Sequence, residues 1–419
     1  MYRRWLPFLT VILGLLFTKT ILGQDKDIIP GQLLVLLKHE KNVHDLTVLP
    51  LTYQQNPIRL HHQQVLIQQI NLHLFTYDTS LVPPQVILDQ IRKLPPVQIA
   101  QFNHKVDWRQ IQATFPNDPN FSNQWGLHNT GQSGGTPDAD IDAPEAWNIA
   151  QGGLSVLGDT LVAAVIDGGM ALNHPDLIFW KNHQEIPGNG IDDDNNGYID
   201  DFNGWNAFNS TGNIPSDPHG SLVTGIISAK TDNNLGISGV NWNTQIMPIA
   251  GSSVNEAIVA IAYGYVLKMR TLYNQTNGDQ GAFVVVTNSS FGVNFGNPLN
   301  FPIWCALYDS LGAQGILSVV STMNIPQDVD IVGDIPSACT SPWMIAVTNT
   351  THNDVKNNGS AFGQTHIDLG APGTNIFSTT SAGNYGFDTG TSFASPFVAG
   401  AISLMYSVAC PGFMIYYKN

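Results

Sequence analysis

The chain has 419 residues, enough for two or three domains, with 43% hydrophobic residues, 12% charged residues and a net charge of −15. That balance belongs to a packed globular protein and excludes a disordered chain. Residues 25–109 are nearly neutral, with eight basic and seven acidic side chains. Residues 110–419 hold six basic and twenty-five acidic ones, a field that argues against nucleic acid or an anionic membrane as partner and attracts cations.

Residues 1–23 begin with Tyr2-Arg3-Arg4, run through 13 mostly apolar residues from Trp5 to Phe17, and meet Lys19 before a cut near Gly23-Gln24. A membrane span needs about 20 apolar residues. The basic-then-apolar order over so short a run predicts a signal peptide, hence a secreted chain with no stable membrane anchor. Residues 25–109 read as a small α+β unit. Ile28–Lys38 and Leu72–Tyr77 are strand candidates, and Val97–Phe102 is a last strand. Ile87, Ile91 and Leu94 recur at helical spacing between Pro84 and Pro95. The polar tract from Asn103 to Asn120 contains Pro116 and Pro119 and leads out of this unit, with residues 110–120 assigned as linker.

Residues 121–419 alternate apolar β-branched runs with helical stretches. Leu161–Ile166, Phe283–Thr287, Ile316–Val320 and Met344–Val347 read as strands buried on both faces, as in a parallel sheet. Helices are expected at 219–229, 254–272, 301–313 and 391–408. The fold class is therefore α/β, a mostly parallel sheet flanked by helices, whose active site gathers beyond the carboxyl ends of the strands. Of the three cysteines, Cys305, Cys339 and Cys410, an exported protein pairs two. Connectivity is not readable from sequence, and Cys305–Cys339 is the pairing we expect.

Three residues meet that expectation of place. Asp167 ends the run Leu-Val-Ala-Ala-Val-Ile-Asp. His219 opens a helix with Gly220 and Gly225 positioned for close packing. Ser392 opens another in Gly-Thr-Ser-Phe-Ala-Ser-Pro. A serine at a helix start is ordinarily a cap. With a histidine base and an aspartate to orient it, the same hydroxyl becomes a nucleophile.

In the order Asp167, His219, Ser392, these blocks resemble the subtilisin-like serine protease family over roughly Asn117–Ala409. The resemblance implies peptide-bond hydrolysis through an acyl-enzyme on Ser392, with Asn324 in Ser-Val-Val-Ser-Thr-Met-Asn donating to the oxyanion. It implies that Ser290, Phe291 and Gly292 pair with an extended protein or peptide substrate. It also implies that residues 25–109 are a propeptide, inhibitor of its own enzyme, removed by a cut between His104 and Phe121. The chain departs from the family pattern at Gly168, Leu222 and Met323, which motivates an alternative: a catalytically inactive, peptide-binding relative. An esterase would want a Gly-x-Ser-x-Gly elbow, which Ser392 lacks. Only 27 residues follow Ser392, fewer than the family's catalytic domain usually has, so a C-terminal truncation is expected.

Calcium is the expected cofactor. Asp192, Asp194, Asn196 and Asp200 fall at loop positions 1, 3, 5 and 9, with Gly197 at the sharp turn and Asn203 where an EF-hand has Glu. The family resemblance implies a second calcium site at Asp176 and Asn233, with Asp118 nearby.

Overall fold

The computed structural model describes residues 28–106 and 113–408. The expected signal peptide, Cys410 and the last residues of the chain lie outside them. The chain divides into two compact units, residues 1–110 and 111–419.

The first unit is a four-stranded antiparallel sheet under one main helix. Its strands are β1 (Ile28–Leu37), β2 (His61–Ile67), β3 (Leu72–Thr76) and β4 (Val97–His104), in the order β2-β3-β1-β4. Leu33, Val35 and Leu37 alternate inward along β1 and meet Ile87, Leu88 and Ile91 of helix α1 (Pro84–Ile91). Strand β2 was not expected from sequence. Every one of its residues is exposed, so His-His-Gln-Gln-Val-Leu-Ile carries no inward alternation, and the pairing with β3, with His62 against His73 and Phe75, makes it a strand.

The second unit is built on seven parallel strands. In chain order they are β5 (Val162–Asp167), β6 (Trp205–Asn206), β7 (Gln245–Ala250), β8 (Val284–Ser289), β10 (Leu317–Ser321), β12 (Met344–Thr350) and β13 (Leu369–Pro372), stacked as β13-β12-β10-β8-β5-β7-β6. A separate short pair, β9 (Val293–Asn294) with β11 (Asp334–Ile335), is antiparallel. The central strands β5 and β8 are buried at every residue. Along β5 the side chains alternate between two cores: Ala163 and Val165 join one, Val162, Ala164 and Ile166 the other. Helices α2 (Pro218–Ser228) and α5 (Thr391–Tyr406) supply the first core, and α3 (Glu256–Thr276) and α4 (Pro302–Gly312) the second. The sheet is thus covered on both faces, and the carboxyl ends of β5, β8 and β10 lie side by side. A disulfide joins Cys305 to Cys339, with Cα atoms 5.3 Å apart.

The tract assigned as linker is tied down from Thr114 onward. Thr114 N–H donates to Pro144 O at 2.7 Å and Asn117 N–H to Asp232 at 3.1 Å. Buried Asp118 accepts from the N–H groups of Asp232 and Asn233 and from Ser238 Oγ. Polar composition alone had suggested a free connection, whereas these side chains serve the backbone of the second unit.

Candidate active site

Asp167 stands at the carboxyl end of β5 and is buried. Facing it is the first turn of α2. Pro218 opens that helix with a fixed φ, and Asp217 caps it, accepting from His219 N–H at 2.8 Å and Gly220 N–H at 3.0 Å. Gly220 is required: a Cβ there would collide with Gly169 O. This close approach leaves His219 Nδ1 3.0 Å from both oxygens of Asp167. The carboxylate only accepts, so Nδ1 carries the proton and Nε2 keeps its lone pair. One oxygen each of Asp167 and Asp217 and a ring nitrogen of His219 lie within 4.8 Å of one another. Burial pulls the His219 pKa down. The hydrogen bond and charge of Asp167, with Asp217 and Asp388, outweigh it and raise the value above the usual 6.5.

Ser392 is the second residue of α5, and the helix carries Pro396 four residues on. A proline has no N–H to give the carbonyl four residues earlier. The Ser392 carbonyl is therefore free, and Ser290 Oγ at the end of β8 donates to it at 2.8 Å while meeting Ser395 Oγ at 3.0 Å and Asn288 Nδ2 at 3.0 Å. The serine hydroxyl itself donates to Ser290 O at 3.3 Å, an orientation toward the strand end. Ser392 N–H lies in the first helical turn, where amides have no intrahelical acceptor.

Asn324 follows β10 and is exposed. Thr391 N–H donates to its Oδ1 at 2.8 Å, and Thr391 Oγ1 lies 3.2 Å from the same atom. An amide N–H only donates, so this contact fixes the orientation of the Asn324 amide and leaves Nδ2 as the outward donor. Met323 packs with Val329 and Ala361 in a small buried cluster, so its bulk has a place of its own. That removes the motive for an inactive site. Leu222 is simply core. At Gly168 a Cβ would press on Asp217 Oδ2 at 3.0 Å, so the glycine leaves room for the carboxylate that caps α2.

Ser290, Phe291 and Gly292 border a pocket of about 170 Å³ that also touches Asn324 and Ser392. The place of a Gly292 Cβ is taken by Ile335 O. The pocket holds one carboxylate, Asp334, which sequence reasoning missed because no motif surrounds it.

The metal candidates divide. Of the loop residues chosen by spacing, Asp192 accepts from Asn196 and Gly197 N–H, and Asp200 from Asn189 and Gly190 N–H. Spacing identified a turn, and these carboxylates bind its own backbone. The carboxylates that converge are Asp194, Glu185 and Asp201, with oxygens within 4.8 Å of one another. Asn196 contributes differently, its Nδ2 donating to Asp194 and Asp201. Burial pushes Asp201 up to about 6 and raises Glu185. Asp176 and Asn233 also meet, with Nδ2 to Oδ1 at 2.9 Å, and burial pushes Asp176 up to about 6. Among the described residues no ion pair reaches either set. The three converging carboxylates, without a cationic partner, fit a hard divalent ion, whereas both oxygens of Asp176 are taken by Asn233, Ile237 N–H and Tyr385 and Asn233 faces it with a donor.

Comparison with known proteins identifies a family. The Subtilase family profile matches residues 158–415. The chain is 33% identical over 272 residues to Subtilisin-like protease 1 of Plasmodium berghei, covering 60% of this chain and 43% of that protein. It is 31% identical over 325 residues to an Extracellular protease of Xanthomonas campestris, covering 71% and 51%. This chain therefore spans about half or less of the length of these relatives. Among solved structures, proteases from Pseudoalteromonas arctica align with a TM-score of 0.51 at 20% identity, over 72% of this chain and 90% of that one, a likeness of fold.

Proposed function

This chain belongs to the subtilase family, and from that premise we propose that it is a secreted serine endopeptidase, autoprocessed from an inhibited precursor. The observation that carries the reading is the His219–Asp167 pair at 3.0 Å beside a helix start bearing Ser392 and a fixed Asn324 amide. In the reaction Ser392 Oγ turns from Ser290 O toward His219 and attacks the peptide carbonyl. His219 Nε2 takes the hydroxyl proton, and Asp167 stabilises the imidazolium. Asn324 Nδ2 and Ser392 N–H donate to the oxyanion as charge develops there. His219 then gives its proton to the leaving amine, the C–N bond breaks, and water activated by the same histidine releases the acyl group. The main chain of Ser290–Gly292 pairs with the extended substrate.

Residues 1–23 act as the signal and residues 25–109 as the inhibitory propeptide, released by a cut between His104 and Phe121. Glu185, Asp194 and Asp201 would hold calcium, which would supply the missing positive charge there and tie the surrounding loops together. A fluorophosphonate tests the reading, since it reacts only with an activated serine. The label should fall on Ser392 and disappear in His219→Ala.

A further inference from the structure

The pocket next to Ser392 contains a charge that bond cleavage does not use. Asp334 lies on β11, in register with Asn294 of β9, and is only 2% exposed. Its Oδ2 accepts from Met323 N–H at 2.9 Å and from Ser337 Oγ at 2.6 Å. Its Oδ1 accepts from no described residue, and it is not among the unpaired polar atoms sealed off from solvent. The remaining opening is the pocket that Asp334 lines.

Among the described residues no cation faces this carboxylate. The other residues lining the pocket are Ser, Phe, Gly, Asn, Thr, Met and Ile, none of them titratable, and no ion pair among the described residues includes Asp334. Burial accordingly pushes it up to about 6, against the lowering effect of Ser337 and Met323. An asparagine would accept the same two hydrogen bonds with no charge to bury, so holding the loop does not account for an acid. A ligand cation would.

The position of the pocket says which group enters. Ser392 and Asn324 form part of its wall, so the substrate residue contributing the attacked carbonyl projects its side chain there. Phe291 and Ile325, both half-buried, give an otherwise mostly polar lining its apolar surface, against which an aliphatic stem can lie.

We propose that Asp334 is the specificity-determining residue of this enzyme and that it selects lysine or arginine at the residue contributing the attacked carbonyl, with Oδ1 receiving the cationic head. This rests on the peptidase reading. The test uses peptides differing only at that residue, lysine, arginine or leucine. Lysine and arginine should exceed leucine in kcat/KM by about 10-fold or more, and Asp334→Asn should lower the lysine-to-leucine ratio about 10–100-fold, as loss of a charge-assisted hydrogen bond does. The ratio, in which the titration of His219 cancels, should also fall as pH drops through about 6. A wild type that cleaves leucine as fast as lysine, or a ratio unmoved by Asp334→Asn, overturns the assignment. Binding to the Ser392→Ala chain needs no catalysis and no Asp334 variant: benzamidinium should bind at least about 10-fold tighter than neutral benzamide. Equal binding overturns the proposal. Preferential binding by a chain that cleaves none of the peptides supports Asp334 and contradicts the peptidase reading instead.

Discussion

Asn324 has one atom with which to act. Thr391 N–H holds Oδ1 at 2.8 Å, so Nδ2 is presented in a fixed direction before any substrate arrives. Preorganisation of that kind acts on the transition state rather than on binding. Asn324→Ala should lower kcat about 10²–10³-fold with KM little changed, a magnitude established for subtilisin and borrowed for this chain. Steady-state kinetics check it, and a loss confined to KM would contradict it. The pairing of Asp167 with His219, and the seating of Asn324 against the turn that carries Ser392, were legible in sequence because each residue stands at a strand end or helix start in a motif of its own. Asp334 was not legible, since nothing in Val-Gly-Asp-Ile-Pro says that its second oxygen faces a pocket. The acidic turn was legible only in part. Alternating acids mark a turn, but which carboxylates converge depends on Glu185, seven residues before the loop begins.

At the scale of elements, the decisive coupling joins β8 to α5. Pro396 deprives the Ser392 carbonyl of its helical donor, and Ser290 Oγ replaces it. Removing that hydroxyl leaves a carbonyl unsatisfied, so Ser290→Ala should cost about 1–3 kcal/mol of stability. Pro396→Ala restores an N–H, and in that background the same change should cost less by at least about 0.5 kcal/mol. Urea denaturation of the two single variants and the double variant measures the difference, and strictly additive costs would contradict the coupling. Strands β5, β8, β10 and β12 were readable as apolar runs because both of their faces are covered. Strand β7 was hidden by Pro248, normally excluded from a sheet interior. On its outer side Ile246 pairs with Phe179 and Ile249 and Ala250 pair with β6, so Pro248 falls in the gap between the two pairings, where a missing N–H is tolerated.

At the scale of the whole molecule, the excess of acid over base in the second unit is borne partly by carboxylates buried without a cation. If calcium neutralises them, chelation should lower the melting temperature by roughly 5–10 °C, the effect of losing an ion present at about 100 times its Kd. Asp201→Asn should shrink that response, and a melting temperature indifferent to chelator would remove calcium from the account. The central claim is that His219 activates Ser392, and intact-mass spectrometry of the purified chain treated with a fluorophosphonate tests it most directly. One label is expected on Ser392, carried by a chain shortened between His104 and Phe121. The labelling rate should rise with pH through a value above 6.5, as His219 loses the proton that Asp167 and its acidic neighbours help it hold. A folded chain that keeps its full mass and takes no label at any pH would contradict it.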